Sequence, residues 1–190
     1  MIELKYFTEG DIPQLISWID SPEFLLQWSG TGFTYPLTHQ QLIKYLGEAN
    51  KVGSEIQAFK VVHVESSKVI GHISLGSINL HNRNARMCRV LIGDEEMKGK
   101  GLAPLMVNKL LNIAFVQFGL HKVSLAVYDF NTPALKLYQK MGFQTEGLIR
   151  EASRIVNDYW SYYEMSILDR EWSSVLNENG RENLGKVDGD

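Results

Sequence analysis

Val90-Leu91-Ile92-Gly93-Asp94-Glu95-Glu96-Met97-Lys98-Gly99-Lys100-Gly101-Leu102-Ala103 decides how this chain of 190 residues folds. The apolar run ending at Ile92 reads as a buried strand. Leu102, Leu105, Met106, Leu110, Ile113 and Ala114 recur at helical spacing, predicting an amphipathic helix over 101–118. A short loop joins the two and closes on Lys-Gly-Lys-Gly. The start of a helix leaves main-chain N–H groups unpaired and carries partial positive charge, so it binds phosphate. Glycines let that main chain approach phosphate oxygens, Lys98 and Lys100 add charge, and Ala103 keeps the first turn small. Phosphate binding is one reading of this junction, and an ordinary turn with two glycines for geometry is the other. A nucleotide P-loop is rejected by the spacing. It would need Gly where Lys98 stands after Gly93, with a hydroxyl residue following to hold magnesium, and the chain has neither.

Some thirty residues downstream a similar junction follows. Lys122 to Val127 reads as a strand, Thr132-Pro133 opens a helix, and Gly142 stops it after Met141. Asn131 and Tyr138 are its notable polar residues. Read singly, Asn131 is a turn residue and Tyr138 a half-buried packing residue.

Upstream, Ile12, Leu15, Ile16 and Ile19 mark a helix, Ser21-Pro22 caps a second through Trp28, and Thr38 with Gln41 resembles a capping box for a third. From Ile56 the period changes to two. Strands over 56–64 and 69–75 join through Glu65-Ser66-Ser67-Lys68, and a third spans about 86–92. Two further strands lie around 143–149 and 160–168. The result is a mixed α+β domain over 1–172, with a central sheet of six or seven strands flanked by helices, and a polar, flexible tail over 173–190.

Hydrophobic residues make up 44% and charged residues 22%, as in an ordinary globular domain rather than a disordered or fibrous one. Lys and Arg number 19 against 22 Asp and Glu, a net charge of −3 that argues against a nucleic-acid or anionic-membrane binder. The one cysteine, Cys88, forms no internal disulfide and reads as a buried strand residue, which fits a reducing, cytoplasmic compartment. No run approaches the ~20 apolar residues that span a bilayer, and the alternating start Met1 to Phe7 lacks the apolar stretch of a signal peptide. His63 and His72 could share a face of the first hairpin, but two histidines without a third ligand do not make a metal site, and none is assigned. Trp18, Phe24, Trp28, Phe33 and Tyr35 read first as core, and second as the lining of an acceptor pocket.

Taken together, the two junctions resemble the GNAT superfamily of acyl-CoA-dependent N-acyltransferases. Its pyrophosphate-loop pattern, Gln/Arg-x-x-Gly-x-Gly/Ala, is similar to Lys98-Gly99-Lys100-Gly101-Leu102-Ala103, with Lys98 in the first place. The pattern Asn-x-x-Ala-x-x-x-Tyr-x-Lys-x-Gly-Phe is intact from Asn131 to Phe143. The resemblance implies a strand whose free main-chain groups at Leu91, Ile92 and Gly93 pair with pantetheine. It implies a diphosphate wrapped by residues 98–103, cofactor contact at Asn131, and Tyr138 beside the sulfur as general acid. Acetyl-CoA, leaving as coenzyme A, is then the co-substrate, and a primary amine, on a small molecule or a protein N-terminus, is the acceptor. A homodimer is an expected assembly that no residue fixes. Thr145 to Glu151 and Tyr163 to Leu168 look like the branch that holds ribosomal-protein alanine N-acetyltransferases.

The position where some members carry a carboxylate base is Ala126; Asp129, Glu151 and Glu164 are substitutes among which the spacing does not choose. Without a base, a lysine-like amine is only about one part in a thousand neutral near pH 7.4, whereas an α-amine is about a quarter neutral. The missing carboxylate leaves a second reading in play, a non-catalytic acyl-CoA binder on the same fold.

Overall fold

In the computed structural model, which describes residues 1–174, the elements assemble around one seven-stranded sheet. β1 (Ile2–Tyr6) leads into α1 (Ile12–Ser17), α2 (Pro22–Ser29) and α3 (His39–Glu48). β2 (Gln57–His63), β3 (Lys68–Asn79) and β4 (Asn84–Ile92) follow as an antiparallel meander. α4 (Leu102–Asn112), β5 (Lys122–Tyr128), α5 (Thr132–Lys140), β6 (Gln144–Ile155) and β7 (Asp158–Leu168) complete the domain. Across the sheet the order is β1-β2-β3-β4-β5-β7-β6, and only β4 and β5 run parallel.

Local chemistry fixes the helix starts. Ser21 Oγ accepts the N–H of Phe24 at 3.2 Å, with Pro22 in the first turn of α2. Thr38 Oγ accepts the N–H of Gln41 at 3.3 Å, but the expected reciprocal half of that capping box is absent. The Gln41 amide instead donates to the carbonyls of Thr34 and Pro36, both at 3.0 Å, and ties down the loop before α3. α4 presents Met106, Val107, Leu110 and Leu111 to the core and runs into a π-helical turn, Ile113–Gln117. Leu105, expected on the buried face, is 47% exposed, because that face is centred on Met106 and Leu110 and Leu105 falls on its outer flank.

Two cores form on opposite faces of the sheet. Ala58 and Phe59, neighbours on β2, point into different ones, as strand alternation requires. The larger joins β2–β5 and β7 to α4 and α5, and the smaller joins Ala58 and Leu91 to α1–α3. β3 is buried on both faces from Ile70 to Gly76, and its two polar residues there, His72 and Ser74, hydrogen-bond to main-chain carbonyls of β4. Trp172 packs against Phe115 and donates its Nε1–H to Asn108 Oδ1 at 3.1 Å, closing the larger core. The expected tail over 173–190 falls, from 175 on, outside the described residues. Among the described residues no helix is long and apolar enough to cross a membrane.

The sheet parts in its middle. β4 and β5 pair only from Asn84↔Lys122 to Arg86↔Ser124. Beyond that β4 stays on β3 as far as Ile92↔Gly71, and β5 stays on β7 as far as Tyr128↔Tyr162. The inner edges from Met87 and from Leu125 onward therefore face each other without a strand between them. β4 also carries a bulge: Leu91 pairs with His72 and Cys88 with Ser74, which leaves Arg89 and Val90 opposite Ile73.

Candidate active site

A cavity of about 950 Å³ fills the parting, large enough for a cofactor-sized ligand. Its walls are β4, β5, parts of β6 and β7, the start of α4, α5, and the segment from Phe24 to Gly32. At one end stands the loop Lys98–Gly101. Gly99 and Gly101 have φ of 73° and 70°, and a Cβ at either would meet open space. Gly101 is the N-cap of α4 and offers no side chain, so the first-turn N–H groups of Leu102 and Ala103 are uncapped beside the cavity. Left-handed glycines beside a bare helix start form an anion-binding concavity, as a diphosphate requires. Lys98 lines this end while pairing with Glu95. Lys100, expected to add its charge here, is exposed and not part of the lining; its side chain leaves the loop on the solvent side.

Leu91 and Ile92 line the middle of the cavity at the parted edge, but Gly93 does not. The Gly93 N–H is taken by the carbonyl of Ile70 at 2.9 Å, which removes that donor from the expected pantetheine contact. Gly93 has a packing role instead: a Cβ there would lie 2.0 Å from the Trp18 ring. Asn131 lines the cavity while its Oδ1 caps α5, accepting the N–H of Ala134 at 3.3 Å. Tyr138, in the second turn of α5, is 7% exposed and lines the same cavity. Burial, with a smaller contribution from Cys88, holds the Tyr138 hydroxyl well above its ordinary pKa, so at neutral pH it is a phenol with a proton to give.

Several lining residues were not singled out from the sequence for this role. Cys88 lines the cavity, its thiol pushed up by burial and only partly offset by Arg89 and Arg86. Arg86 makes a two-pronged ion pair with Glu164, one contact being Nη2 to Oε2 at 3.0 Å. Glu164, one of the three substitute carboxylates, is thereby engaged, and neither Asp129 nor Glu151 lines the cavity. Tyr128 donates its hydroxyl to Ser153 Oγ at 2.8 Å, and both line the far wall. Arg89 owes its place to the β4 bulge, and the bulge depends on pairing with β3, which local periodicity does not register.

The two histidines do not meet. His63 bonds Ser66 and Glu65 at the hairpin turn, whereas His72 is fully buried against Phe7, Trp28 and Tyr45. Among the described residues no three His, Cys, Asp or Glu stand together as a metal site. The first-lobe aromatics divide. Phe24 and Trp28 line the cavity and Trp18 packs on Gly93, while Phe33 stacks behind Trp28 at 5.9 Å and Tyr35 is exposed.

The acetyltransferase (GNAT) domain family matches residues 2–144. An uncharacterized N-acetyltransferase of Bacillus licheniformis, p20, is 27% identical over 172 residues, covering 90% of this chain and 95% of that protein. The spermidine N(1)-acetyltransferase of Vibrio cholerae serotype O1 is 33% identical over 112 residues, 59% of this chain and 64% of that protein. The crystal structure of spermidine N-acetyltransferase from Vibrio cholerae in complex with CoA and spermine superposes with a TM-score of 0.79 at 24% identity, over 90% of this chain and 98% of that one. A dodecameric structure of the Vibrio enzyme gives 0.70 at 24% identity, over 90% and 95%. These likenesses overturn the placement beside ribosomal-protein alanine acetyltransferases: in sequence and in fold the chain resembles spermidine N-acetyltransferases instead. The stretches behind that placement, 145–151 and 163–168, lie on β6 and β7 and are paired with each other, so they report a hairpin rather than an acceptor. With a parted sheet, an uncapped helix start and a buried phenol lining one cavity, and with the family match over residues 2–144, the chain belongs to the GNAT acetyltransferases and moves an acetyl group from acetyl-CoA to an amine.

Proposed function

We propose that acetyl-CoA lies in the parting with its diphosphate on residues 98–103 and its pantetheine along Leu91 and Ile92, and that Tyr138 is the general acid. One observation carries this reading: the uncapped, glycine-flanked start of α4 and the buried hydroxyl-bearing Tyr138 belong to a single cavity. The acceptor enters as a neutral primary amine, of a small molecule or a protein N-terminus. Its nitrogen attacks the thioester carbonyl in a ternary complex, the C–S bond breaks, and the Tyr138 hydroxyl gives its proton to the departing thiolate. The attacking nitrogen loses its proton to water, because no Asp or Glu among the described residues lines the cavity to take it. Amide and coenzyme A leave, and the phenol regains its proton from solvent.

Tyr138→Phe tests the assignment. Turnover, followed by thiol release, falls about a hundredfold or more, as for loss of a positioned acid, while the acetyl-CoA dissociation constant stays within about twofold. Unchanged turnover removes Tyr138 from the mechanism. The same reading makes residues 1–172 the acetyltransferase domain and the cytoplasm, where acetyl-CoA and free thiols coexist, its compartment. An assembly of several copies is supported by the outer edge of β6, where Leu148 and Ile149 are exposed, and by the dodecamer of the Vibrio enzyme.

A further inference from the structure

Three cations line the cavity, Arg86, Arg89 and Lys98, and among the described residues no Asp or Glu does. Two of the three are matched from outside the lining, Arg86 by Glu164 and Lys98 by Glu95. Arg89 has no carboxylate within ion-pair distance among the described residues. Its guanidinium lies against the rings of Phe33 and Tyr45, 5.1 and 4.6 Å from their centroids. The chain makes room for it. Gly32 is close enough that a Cβ there would stand 3.2 Å from Arg89 Nη2. Arg89 itself takes a left-handed φ of 54° in the bulge of β4, a conformation that a branchless residue would enter more easily. A bulge beside a site turns one side chain toward a different wall, and here it turns a cation toward α3 and the segment that follows α2.

Two donors on that wall go unmet. The Nε–H of Arg89 and the Nε1–H of Trp28, both on cavity-lining residues, are buried without an acceptor in the protein. A carboxylate supplies two acceptor oxygens in one plane, the shape a guanidinium matches in bidentate fashion. A polycation would meet like charge here and no opposing carboxylate. We propose that the acceptor amine carries a carboxylate on the same molecule and that Arg89 binds it, so that this chain takes anionic amines where its spermidine-named relatives take polycationic ones. The proposal rests on the acetyl-CoA reading of the cavity and deepens it.

The test uses the full chain with saturating acetyl-CoA and thiol release as the readout. The amines are glycine and β-alanine beside their amides, tripeptides with Glu or Gln at the second position, and spermidine. Free amino acids and peptides distinguish a small acceptor from an acidic N-terminus. The carboxylated member of each favoured pair leads its neutral partner by tenfold or more in kcat/KM, and spermidine is the poorest. Arg89→Gln collapses that ratio, chiefly through KM. Arg89→Lys keeps part of it by retaining the charge without the fork, and it carries the test if Arg89→Gln does not fold. An unchanged thermal shift with acetyl-CoA shows that the variants keep the cofactor site. Spermidine as the best acceptor, or a carboxylate preference that neither variant alters, overturns the proposal and leaves the acetyltransferase standing. Acetyl-CoA binding without thiol release from any amine overturns both.

Discussion

His72 stands behind the acceptor wall with its two ring nitrogens in different circumstances. Its Nδ1–H donates to the carbonyl of Arg89 at 3.2 Å, while Nε2 is buried without a partner. Burial pushes its pKa down to about 3, so the native ring is neutral across the physiological range. The unfolded chain takes up this proton near pH 6.5 and the native protein only near 3, so between those values acidification favours unfolding. The loss is up to about 1.4 kcal/mol per pH unit. Urea unfolding from pH 7 to 4.5 shows that steeper decline in the wild type and a shallower one in His72→Asn, which keeps a donor for Arg89. Equal slopes contradict a buried neutral ring. At this scale Tyr138 and the two loop glycines were legible because their patterns are local in the chain. Arg89 and Cys88 were not, since what sets them apart is the partner strand and the cavity. Asn131 keeps its bland reading as the cap of α5 and also lines the cavity.

Among the elements, β3 and β4 leave no room for a side chain at Gly71, where a Cβ would stand 2.2 Å from the carbonyl oxygen of Leu91. Neither strand can yield without breaking the pairing that supports the cavity floor. Gly71→Ala therefore destabilises the fold by about 3 kcal/mol, at the upper end for overpacking. Gly101→Ala meets open space and bears only its left-handed backbone, about 1–2 kcal/mol. Urea midpoints rank the two, and the opposite order would mean that the β3–β4 contact is looser than its geometry. Helix starts were readable because Ser21 and Thr38 act on residues three places away. The Gln41 half of the second cap was not, because the loop over 34–36 offers its amide better acceptors than the helix does. The parting of β4 from β5 follows from the resemblance alone; no residue on either strand announces where pairing stops.

At the scale of the whole molecule, a net charge of −3 coexists with a cavity lined by three cations and no described carboxylate. Net charge argued against a nucleic-acid partner but had nothing to say about how charge is segregated inside. The same holds for the branch: the order of strands and helices carried the fold, while the acceptor depends on a few side chains brought together from α2 and β4. The parting predicts that ligand binding stabilises the entire domain. At a hundred times its dissociation constant acetyl-CoA adds about 2.7 kcal/mol. For a chain of this size that raises Tm by about 5–10 °C. Coenzyme A acts similarly and ATP at the same concentration does not; an equal response to ATP argues for a nucleotide site.

The facing edges of β4 and β5 have a pharmacological corollary. Main-chain donors and acceptors there await something shaped like another strand, so a purely greasy blocker would strand them dry and bind poorly. An inhibitor of this enzyme gains most from a peptide-like spine slotted between the two edges, with an acidic head to greet the guanidinium.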